Sequence, residues 1–342
     1  MKKVGIGLSG GVDSAIAAYL LKKRGYEVFG YYFIFTPSHE EGIDKVKNLA
    51  LCLDIPLEVV DLKNTFQELI INGFLDYYFQ GKTPNPCVWC NAYIKFPFLF
   101  RYVKENKVDY ISTGHYVRSD GNFIYEARDE RKDQSYFLSF LRGNILSYCI
   151  FPLGDFEKDQ VKKLALQLNL PVSMKESQDI CFLQGCSIGE FLEAHKLKLK
   201  GHFVLSKNKK ILRETKNILQ FTVGQRRGLH LRYNVPLYVK KIDIFKRQII
   251  VAPKEELYQD SLILEKLNLF MDLSEIEKLD NLTIKVRYKS NKVEIASIEE
   301  IRNKLIIKLK KKVFAITPGQ VGVIYHKDKI VASGEIAKNE SV

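Results

Sequence analysis

The residues with the clearest chemical potential form a segment near the amino terminus, Gly7-Leu8-Ser9-Gly10-Gly11-Val12-Asp13-Ser14. A hydrophobic stretch precedes it and an amphipathic stretch follows it, which predicts a loop between a strand and a helix. Gly10 and Gly11 tolerate backbone angles that other residues avoid, so the loop can turn its N–H groups toward an anion at the positive end of the helix. The two serines add hydroxyl donors. These features predict a pyrophosphate-binding loop, and a glycine-rich turn without a ligand is the simpler alternative.

The loop lacks the lysine of the Gly-x-x-x-x-Gly-Lys-Ser/Thr pattern, so γ-phosphoryl transfer is disfavoured. Its Ser-Gly-Gly-x-Asp-Ser core instead resembles the PP-loop of ATP pyrophosphatases, which cleave ATP between its α- and β-phosphates and adenylate a substrate oxygen. This resemblance implies that ATP binds here with Mg²⁺ and that AMP and pyrophosphate are released.

A pair of cysteines is the second candidate for chemistry, in Lys82-Thr83-Pro84-Asn85-Pro86-Cys87-Val88-Trp89-Cys90-Asn91. A Cys-x-x-Cys pair can ligate a metal, form a redox disulfide or hold one nucleophile of low pKa, and a helix beginning just after Cys90 would favour its thiolate. No second Cys-x-x-Cys or His-x-x-x-His follows, which disfavours a closed structural zinc site. Cys181 has hydrophobic neighbours, and taken alone it is interpreted as a buried structural thiol.

Composition limits the partners and the compartment. The 342 residues include 53 Lys and Arg against 40 Asp and Glu, a net charge of +13 at pH 7. This charge favours a polyanionic partner, although a basic composition can also serve solubility alone. The sequence shows no apolar run of membrane-spanning length and no signal or transit peptide, so we expect a cytosolic protein. In a reducing cytosol its six cysteines are expected to be reactive, metal-binding or buried.

Strand-like and helical stretches alternate through the first third of the chain. Strands are predicted at 3–8, 27–35, 57–62 and 108–113, and helices at 14–23, 43–53, 66–79 and 93–104. The βαβ order predicts an α/β fold with a doubly wound parallel sheet that binds ligands at its strand ends. After Gly201, hairpin-like runs predict a small antiparallel domain, and the strands after Leu262 suit a small β-barrel. The predicted domains are a PP-loop catalytic domain at 1–198, a central β domain at 199–260 and a C-terminal β-barrel at 261–342.

Eight short blocks, in order, make the chain resemble the tRNA-specific 2-thiouridylase family, often called MnmA, along nearly its whole length. The blocks are the PP-loop at 7–14, Thr83-Pro84-Asn85-Pro86 with Cys90-Asn91, Thr113-Gly114-His115-Tyr116, Lys132-Asp133-Gln134-Ser135-Tyr136-Phe137, Asp179-Ile180-Cys181-Phe182, Gly224-Gln225-Arg226-Arg227-Gly228-Leu229, Arg287-Tyr288 and Thr317-Pro318-Gly319-Gln320. A single block could arise by chance, whereas eight in sequence identify the resemblance.

The resemblance implies sulfur insertion at C2 of the wobble uridine of tRNA, after ATP has adenylated O2 and made that oxygen part of a leaving AMP. In the family, the cysteine matching Cys181 receives a persulfide from a sulfur-carrier protein, and the cysteine matching Cys90 is the catalytic nucleophile. Either the persulfide attacks C2 directly, or Cys90 attacks the persulfide and frees hydrosulfide, leaving a Cys90–Cys181 disulfide. Some members carry Asp where this chain has Cys87, and there the carboxylate is the proposed general acid or base. Cys87, Cys90 and Cys181 are alternatively a ligand set for a [4Fe-4S] cluster with one open iron.

The same resemblance implies the remaining contacts. ATP is expected on residues Gly7 to Ser14, Phe33 and Gly114. The flipped target base of the anticodon loop is expected on Asn85, Pro86 and Cys87. Other parts of the tRNA are expected on His115, Lys132, Asp133, Gln134, Arg287, Tyr288 and Gln320. A monomer that binds one tRNA is expected.

Two other function classes are alternatives at this point. A PP-loop enzyme can adenylate a small molecule for amidation or amination, but such reactions need neither paired cysteines nor two basic β-rich domains. A non-catalytic RNA-binding protein with a vestigial nucleotide site is disfavoured because Asp13, Cys90 and Cys181 are all present.

Overall fold

The computed structural model describes residues 1–105, 108–174 and 180–338, which fall into two compact units. Unit 1 comprises Met1–Ile71, Cys87–Gln178 and Asp328–Val331, and unit 2 comprises Asn72–Pro86, Asp179–Lys327 and Ala332–Val342. The segment Asn72–Pro86 therefore groups with the C-terminal half of the sequence and not with its neighbours along the chain.

The strands, in chain order, are β1 (Lys3–Gly7), β2 (Glu27–Ile34), β3 (Leu57–Asp61), β4 (Tyr110–Ser112), β5 (Val117–Ser119), β6 (Ile124–Glu126), β7 (Cys149–Ile150), β8 (Gly201–Leu205), β9 (Ile211–Thr215), β10 (Tyr238–Asp243), β11 (Gln248–Ala252), β12 (Tyr258–Leu269), β13 (Leu282–Lys285), β14 (Val293–Ile301), β15 (Lys304–Phe314), β16 (Val321–His326) and β17 (Lys329–Ile336).

The α-helices are α1 (Val12–Lys23), α2 (Ile43–Leu53), α3 (Lys63–Phe66), α4 (Gly73–Phe79), α5 (Pro86–Trp89), α6 (Phe96–Glu105), α7 (Gly143–Leu146), α8 (Lys158–Gln167), α9 (Ile188–Ala194) and α10 (Leu273–Ile276). Two π-helical turns, Gln67–Asn72 and Cys90–Lys95, interrupt the helical stretches, and 3₁₀ turns lie at Pro37–Gly42, Ser135–Leu138 and Lys254–Leu257.

Unit 1 is built on a parallel sheet with the strand order β3-β2-β1-β4-β7. The middle of its central strand is buried, with Val4 and Ile6 both 0% exposed. Helix α2 shows why the flanking segments are helical: its buried residues Val46, Leu49, Ala50 and Leu53 recur at helical spacing and form one apolar face. The strand order changes direction between β1 and β4, which confirms the doubly wound sheet predicted from the sequence.

The helix around the paired cysteines differs from the prediction. It was expected to begin just after Cys90, but α5 begins at Pro86, so Cys87 lies in the first turn and Cys90 opens the following π-helical turn. Proline suits the start of a helix because the N–H it lacks would have no intrahelical partner there. The expectation that a helix amino terminus directly favours the Cys90 thiolate is therefore wrong.

Unit 2 contains two sheets. The central one has the order β10-β11-β8-β9. Its two hairpins are antiparallel, as predicted, but β11 and β8 join them in parallel, with Ile249 opposite Phe203, so the sheet is mixed and not purely antiparallel. The strands β12-β15-β14-β13-β16-β17 form a barrel that β12 and β17 close, which confirms the predicted C-terminal β-barrel. In the parts of the chain that the structure describes, no helix has the length and apolar character needed to cross a membrane.

Candidate active site

The loop Ser9–Ser14 joins β1 to α1 and is closed by its own hydroxyl groups. The Ser9 N–H donates to Ser14 Oγ (3.1 Å), and Ser14 Oγ donates to the Gly11 carbonyl (3.1 Å). Gly10 has a φ of 76°, in the left-handed region that favours glycine. The loop thus lies at the amino-terminal end of a 12-residue helix. Backbone N–H groups and the helix dipole at this position suit a pyrophosphate.

Gly114 approaches the first turn of α1 from the end of β4. A Cβ atom on Gly114 would lie 2.6 Å from the Ser14 backbone nitrogen and 2.7 Å from the Asp13 carbonyl carbon. Backbone atoms at such distances cannot yield without moving the start of the helix, so only glycine fits. Because β1 and β4 are neighbours at the switch point of the sheet, two segments expected to contact ATP meet where doubly wound sheets bind nucleotides.

Asp13 is held by two side chains from distant parts of the sequence. The Tyr116 hydroxyl donates to Asp13 Oδ1 (2.8 Å), and Lys158 Nζ donates to Oδ1 (2.6 Å) and Oδ2 (2.7 Å). Lys158 is only 4% exposed, and a buried ammonium group requires a partner charge. Sequence reasoning missed Lys158, because it lies 145 positions after Asp13 and belongs to no motif.

Asp129 fixes the position of Lys158. Its Oδ2 accepts the Lys158 backbone N–H (3.0 Å) at the start of α8. Burial alone would raise the pKa of Asp129, but hydrogen bonds from Lys158 and Arg131 outweigh burial and hold the pKa below its ordinary value. Asp129 therefore stays ionised at neutral pH, and its charge is favourable at a helix amino terminus.

The block Lys132-Asp133-Gln134 supports the same site. The Gln134 N–H donates to the Tyr116 carbonyl, and the Tyr116 N–H donates to Gln134 Oε1, both at 2.9 Å. The buried Asp133 carboxylate accepts the Ala127 N–H (3.0 Å), and it also accepts the Ser135 N–H (3.1 Å) and hydroxyl (2.8 Å). Gln134 thereby holds the backbone of Tyr116, whose hydroxyl contacts Asp13. Lys132 is half-buried in the same turn.

Two further predicted residues lie close to strand ends. Phe33 is 8% exposed near the end of β2, with its ring centroid 6.0 Å from that of Phe35. His115 Nδ1 shares a hydrogen bond with the Thr113 hydroxyl (2.8 Å). Removal from water, followed in importance by the positive charge of Lys95, lowers the pKa of His115 to about 3. At neutral pH this imidazole is uncharged, so it can serve a nucleic acid as a hydrogen-bonding group but not as a cation.

The two motif cysteines have different surroundings. Cys87 is exposed, whereas Cys90 is only 6% exposed. Cys90 begins a π-helical turn, a feature that often marks functional sites. Beside it, Asn91 Nδ2 donates to the Phe137 carbonyl (3.1 Å), while Asn91 Oδ1 is buried with no hydrogen-bond partner among the described residues. A bound molecule or a water would restore the missing bond, so this position is suited to a ligand.

Cys181 is exposed, so its interpretation as a buried structural thiol is wrong. The hydrophobic neighbour that suggested burial is Phe182, which is 7% exposed and packs against Phe74 and Phe191 with ring centroids 5.1 Å apart in each case. Phe182 anchors the segment and leaves the adjacent thiol at the surface. Asp179, which opens this block in the sequence, lies outside the described residues. None of the six cysteines forms a disulfide in the structure.

Four of the eight sequence blocks meet within unit 2. Gln320 Nε2 donates to the carbonyls of Thr83 (2.9 Å) and Pro84 (3.2 Å). The Thr83 hydroxyl in turn donates to that of Thr222 (3.3 Å), two residues before Gly224. Gln320, expected to contact tRNA, therefore contacts the segment expected to hold the target base.

The block Arg287-Tyr288 joins this group through the Arg287 side chain. Its Nη2 donates to the carbonyls of Val223 and Ala315 and to the Thr317 hydroxyl. Strand β13 ends at Lys285, so Arg287 and the half-buried Tyr288 lie in the turn that follows it. Arg287 thus ties together the Gly224 and Thr317 blocks.

Among the described residues, no three His, Cys, Asp or Glu side chains are placed to hold a metal ion. The described residues therefore form no ready-made site for a cluster.

Comparison with known proteins supports one family. Family models match residues 2–185 (tRNA methyl transferase HUP domain), 189–253 (tRNA methyl transferase PRC-barrel domain) and 259–336 (aminomethyltransferase beta-barrel domain). A tRNA-specific 2-thiouridylase MnmA from a Nitratiruptor species is 39% identical, with 98% of this chain and 99% of that protein covered. The chain belongs to the tRNA-specific 2-thiouridylase family.

Another member of the 2-thiouridylase family, from Sulfurimonas denitrificans, is 38% identical, with 99% of each chain covered. A U34-tRNA thiolase from Methanococcus maripaludis, solved with its [4Fe-4S] cluster, is 24% identical with a TM-score of 0.38. That match covers 57% of this chain and 67% of the other, a similarity too low to transfer any property of that protein.

Proposed function

We propose that this protein catalyses ATP-dependent 2-thiolation of the wobble uridine (U34) of tRNA. The observation that carries the proposal is the assembly of the ATP loop, Gly114, Tyr116 and Lys158 around Asp13 in a chain that matches 2-thiouridylases over nearly its whole length. Adenylation of a small molecule for amidation or amination is not favoured, because that reaction needs neither the paired cysteines nor the C-terminal barrel.

In the first step the uridine O2 attacks the α-phosphorus of ATP, and pyrophosphate leaves. The loop N–H groups and the hydroxyls of Ser9 and Ser14 receive the phosphates. Asp13 is the acidic residue of the loop, and its carboxylate is of the kind that binds Mg²⁺ directly or through water. Lys158 would then hold Asp13 in place and supply the positive charge that the loop itself lacks.

In the second step sulfur replaces the adenylated oxygen. The terminal sulfur of a Cys181 persulfide attacks C2 and expels AMP, after which Cys90 attacks the Cys181 sulfur and releases the thiolated base. In the other order, Cys90 attacks the persulfide first and frees hydrosulfide, which attacks C2. Both routes reduce the transferred sulfur at the expense of two thiols and end in a Cys90–Cys181 disulfide, which a cellular thiol must reduce before the next turnover. The exposed Cys181 is accessible to a sulfur-carrier protein.

The net charge of +13 suits a tRNA partner. We assign the target base to Asn85, Pro86 and Cys87 and further tRNA contacts to Lys132, Arg287, Tyr288 and a neutral His115. Asp133 and Gln134 act behind this surface, since their side chains bond within the protein. That the protein is monomeric and located in the cytosol stays a prediction.

An iron–sulfur cluster on Cys87, Cys90 and Cys181 also stays a prediction. Because the described residues form no site for such a cluster, the steps above use only the thiolates. Measurement of iron and acid-labile sulfide in anaerobically purified protein tests this point. If the protein holds about four iron and four sulfide ions per chain and still thiolates tRNA, a cluster mechanism replaces the persulfide route.

The deciding experiment is anaerobic incubation of the purified protein with ATP, Mg²⁺, a persulfide donor and unmodified tRNA, followed by nucleoside mass spectrometry and measurement of AMP. We expect 2-thiouridine and AMP in equal amounts. A tRNA with cytidine at position 34 is the matched control and should yield neither product.

Variants separate the two steps. Asp13→Ala should abolish pyrophosphate release and thiolation together, whereas Cys181→Ser should abolish persulfide-dependent thiolation and the release of AMP that accompanies it, while pyrophosphate is still released by adenylation of the tRNA. Cys52→Ser, which changes an exposed cysteine of α2, should leave both unchanged. Production of AMP with a small-molecule acceptor but not with tRNA would contradict the proposed function.

A further inference from the structure

The segment before the paired cysteines is anchored to the barrel by a buried carboxylate. Glu335 of β17, whose side chain is 5% exposed, accepts hydrogen bonds from Lys82 Nζ (3.1 Å) and Lys266 Nζ (3.0 Å). The Tyr77 hydroxyl of α4 also donates to it. A buried charge with this many donors is well satisfied. Glu335 therefore fixes both ends of the stretch from α4 to Lys82.

The turn Thr317–Gln320 then holds the next two residues. Gly319 has a φ of 87° and lies so close that a Cβ atom would be 3.0 Å from Lys82 Cβ and 3.0 Å from the Thr83 nitrogen. The Thr83 N–H donates to the Pro318 carbonyl (2.9 Å). With the two bonds from Gln320 Nε2, three hydrogen bonds join this turn to Thr83 and Pro84.

Little conformational freedom remains in the residues that follow. Pro84 and Pro86 are buried and have fixed φ angles, and α5 begins at Pro86. Asn85 is therefore enclosed between a backbone held by the barrel and the start of a helix. Cys87 follows directly in the chain.

We infer that the barrel turn Thr317–Gln320 sets the conformation of the target-base segment, and that Gln320 is a positioning residue for this segment. The inference rests on the proposed function, which assigns the target base to Asn85, Pro86 and Cys87. Gln320 acts through the carbonyls of Thr83 and Pro84, so its loss affects the step that places the base more than the binding of the tRNA.

Two variants of the full-length protein test this inference. Gln320→Ala removes both hydrogen bonds, and Gln320→Glu keeps the side-chain size but replaces the donating amide with an oxygen that repels the two carbonyls. With each variant we expect thiolation at saturating tRNA to fall about tenfold, the effect of losing two neutral hydrogen bonds, while the Kd for tRNA changes less than about twofold. Gln248→Ala, in β11 of the same unit, is the matched control and should retain the wild-type rate.

Hydrogen exchange provides a readout that does not depend on activity. The Thr83 amide should be protected in the wild-type protein without tRNA and exchange faster in Gln320→Ala.

A weaker tRNA affinity with an unchanged rate at saturation would overturn the inference in favour of a direct tRNA contact. An unchanged rate and affinity, or rapid exchange of Thr83 in the wild type, would also overturn it. If the variants do not fold, hydrogen exchange of the Thr83 amide in the wild-type protein tests the inference by itself. Absence of 2-thiouridine with the wild-type protein would instead contradict the proposed function.

Discussion

The ammonium group of Lys158 brings to the ATP loop a positive charge that the loop sequence itself lacks. P-loops of the Gly-Lys-Ser/Thr type carry their lysine in the loop itself, whereas here α8 delivers it to Asp13. Because Asp129 holds the Lys158 backbone and Tyr116 holds the other side of Asp13, the charge pair is fixed before ATP arrives. A preorganised charge needs no rearrangement when charge develops during the reaction.

Lys158→Met should therefore impair both folding and adenylation. Removing one partner leaves a partly buried carboxylate without its charge partner, so we expect about 2 kcal/mol lower stability to unfolding and at least a tenfold slower release of AMP. Urea unfolding and an AMP assay measure the two effects. Lys158→Arg should recover part of the activity, and Lys163→Met, on the exposed side of the same helix, should behave as wild type. Normal AMP release by Lys158→Met would remove this residue from the ATP site.

His115 gives the protein a specific response to acid. Its pKa falls from 6.5 to about 3 on folding, so between these values the unfolded chain binds a proton that the folded protein does not. Stability therefore decreases as the pH falls through this window. In His115→Gln the loss of Tm between pH 7 and pH 5 should be smaller than in the wild type. A pH dependence of Tm in His115→Gln equal to that of the wild type would contradict the assignment.

At the level of elements, the place where Gly114, just after β4, meets the start of α1 should be the least tolerant of substitution. Gly114→Ala introduces a methyl group 2.6 Å from the Ser14 nitrogen, and since a helix backbone cannot move without displacing the ATP loop, we expect a cost of about 3 kcal/mol and weakened ATP binding. Calorimetry with and without ATP measures both. Gly143→Ala is the control, because no atom lies within 4 Å of the added methyl group there. Wild-type affinity for ATP in Gly114→Ala would show that the loop does not depend on this contact.

The parallel sheet and the barrel could be predicted because hydrophobic periodicity is a local property of the sequence. The π-helical turn at Cys90 could not, since one i→i+5 turn within a helical stretch barely alters that periodicity. The parallel pairing of β11 with β8 also escaped prediction, because the hairpins are local but their association is not. For the same reason the sequence identified Asp13 through its motif but gave no signal for Lys158.

At the level of the whole molecule, the excess of positive charge should make tRNA binding sensitive to salt. A net charge of +13 and several phosphate contacts predict that log K falls linearly with log salt, by about 0.7 to 0.9 for each neutralised phosphate. Filter binding of tRNA between about 50 and 200 mM KCl, concentrations at which this dependence is readily measured, provides the test. Arg227→Ala, at an exposed position in the Gly224 block, should reduce the slope by about 1, whereas Cys52→Ser should not. A slope near zero would contradict an electrostatic contribution to binding.

The bond from Gln320 to Thr83 spans 237 positions of the chain, which has a consequence for synthesis on the ribosome. At about 5–20 residues per second, the turn Thr317–Gln320 emerges roughly 12–47 s after Thr83. During this time the nascent chain has its ATP loop and both motif cysteines but not the partner that orders Thr83 and Pro84. A newly made protein therefore acquires the arrangement of the segment proposed to hold the target base only when the barrel forms, so adenylation and thiolation should become possible late in biogenesis and together.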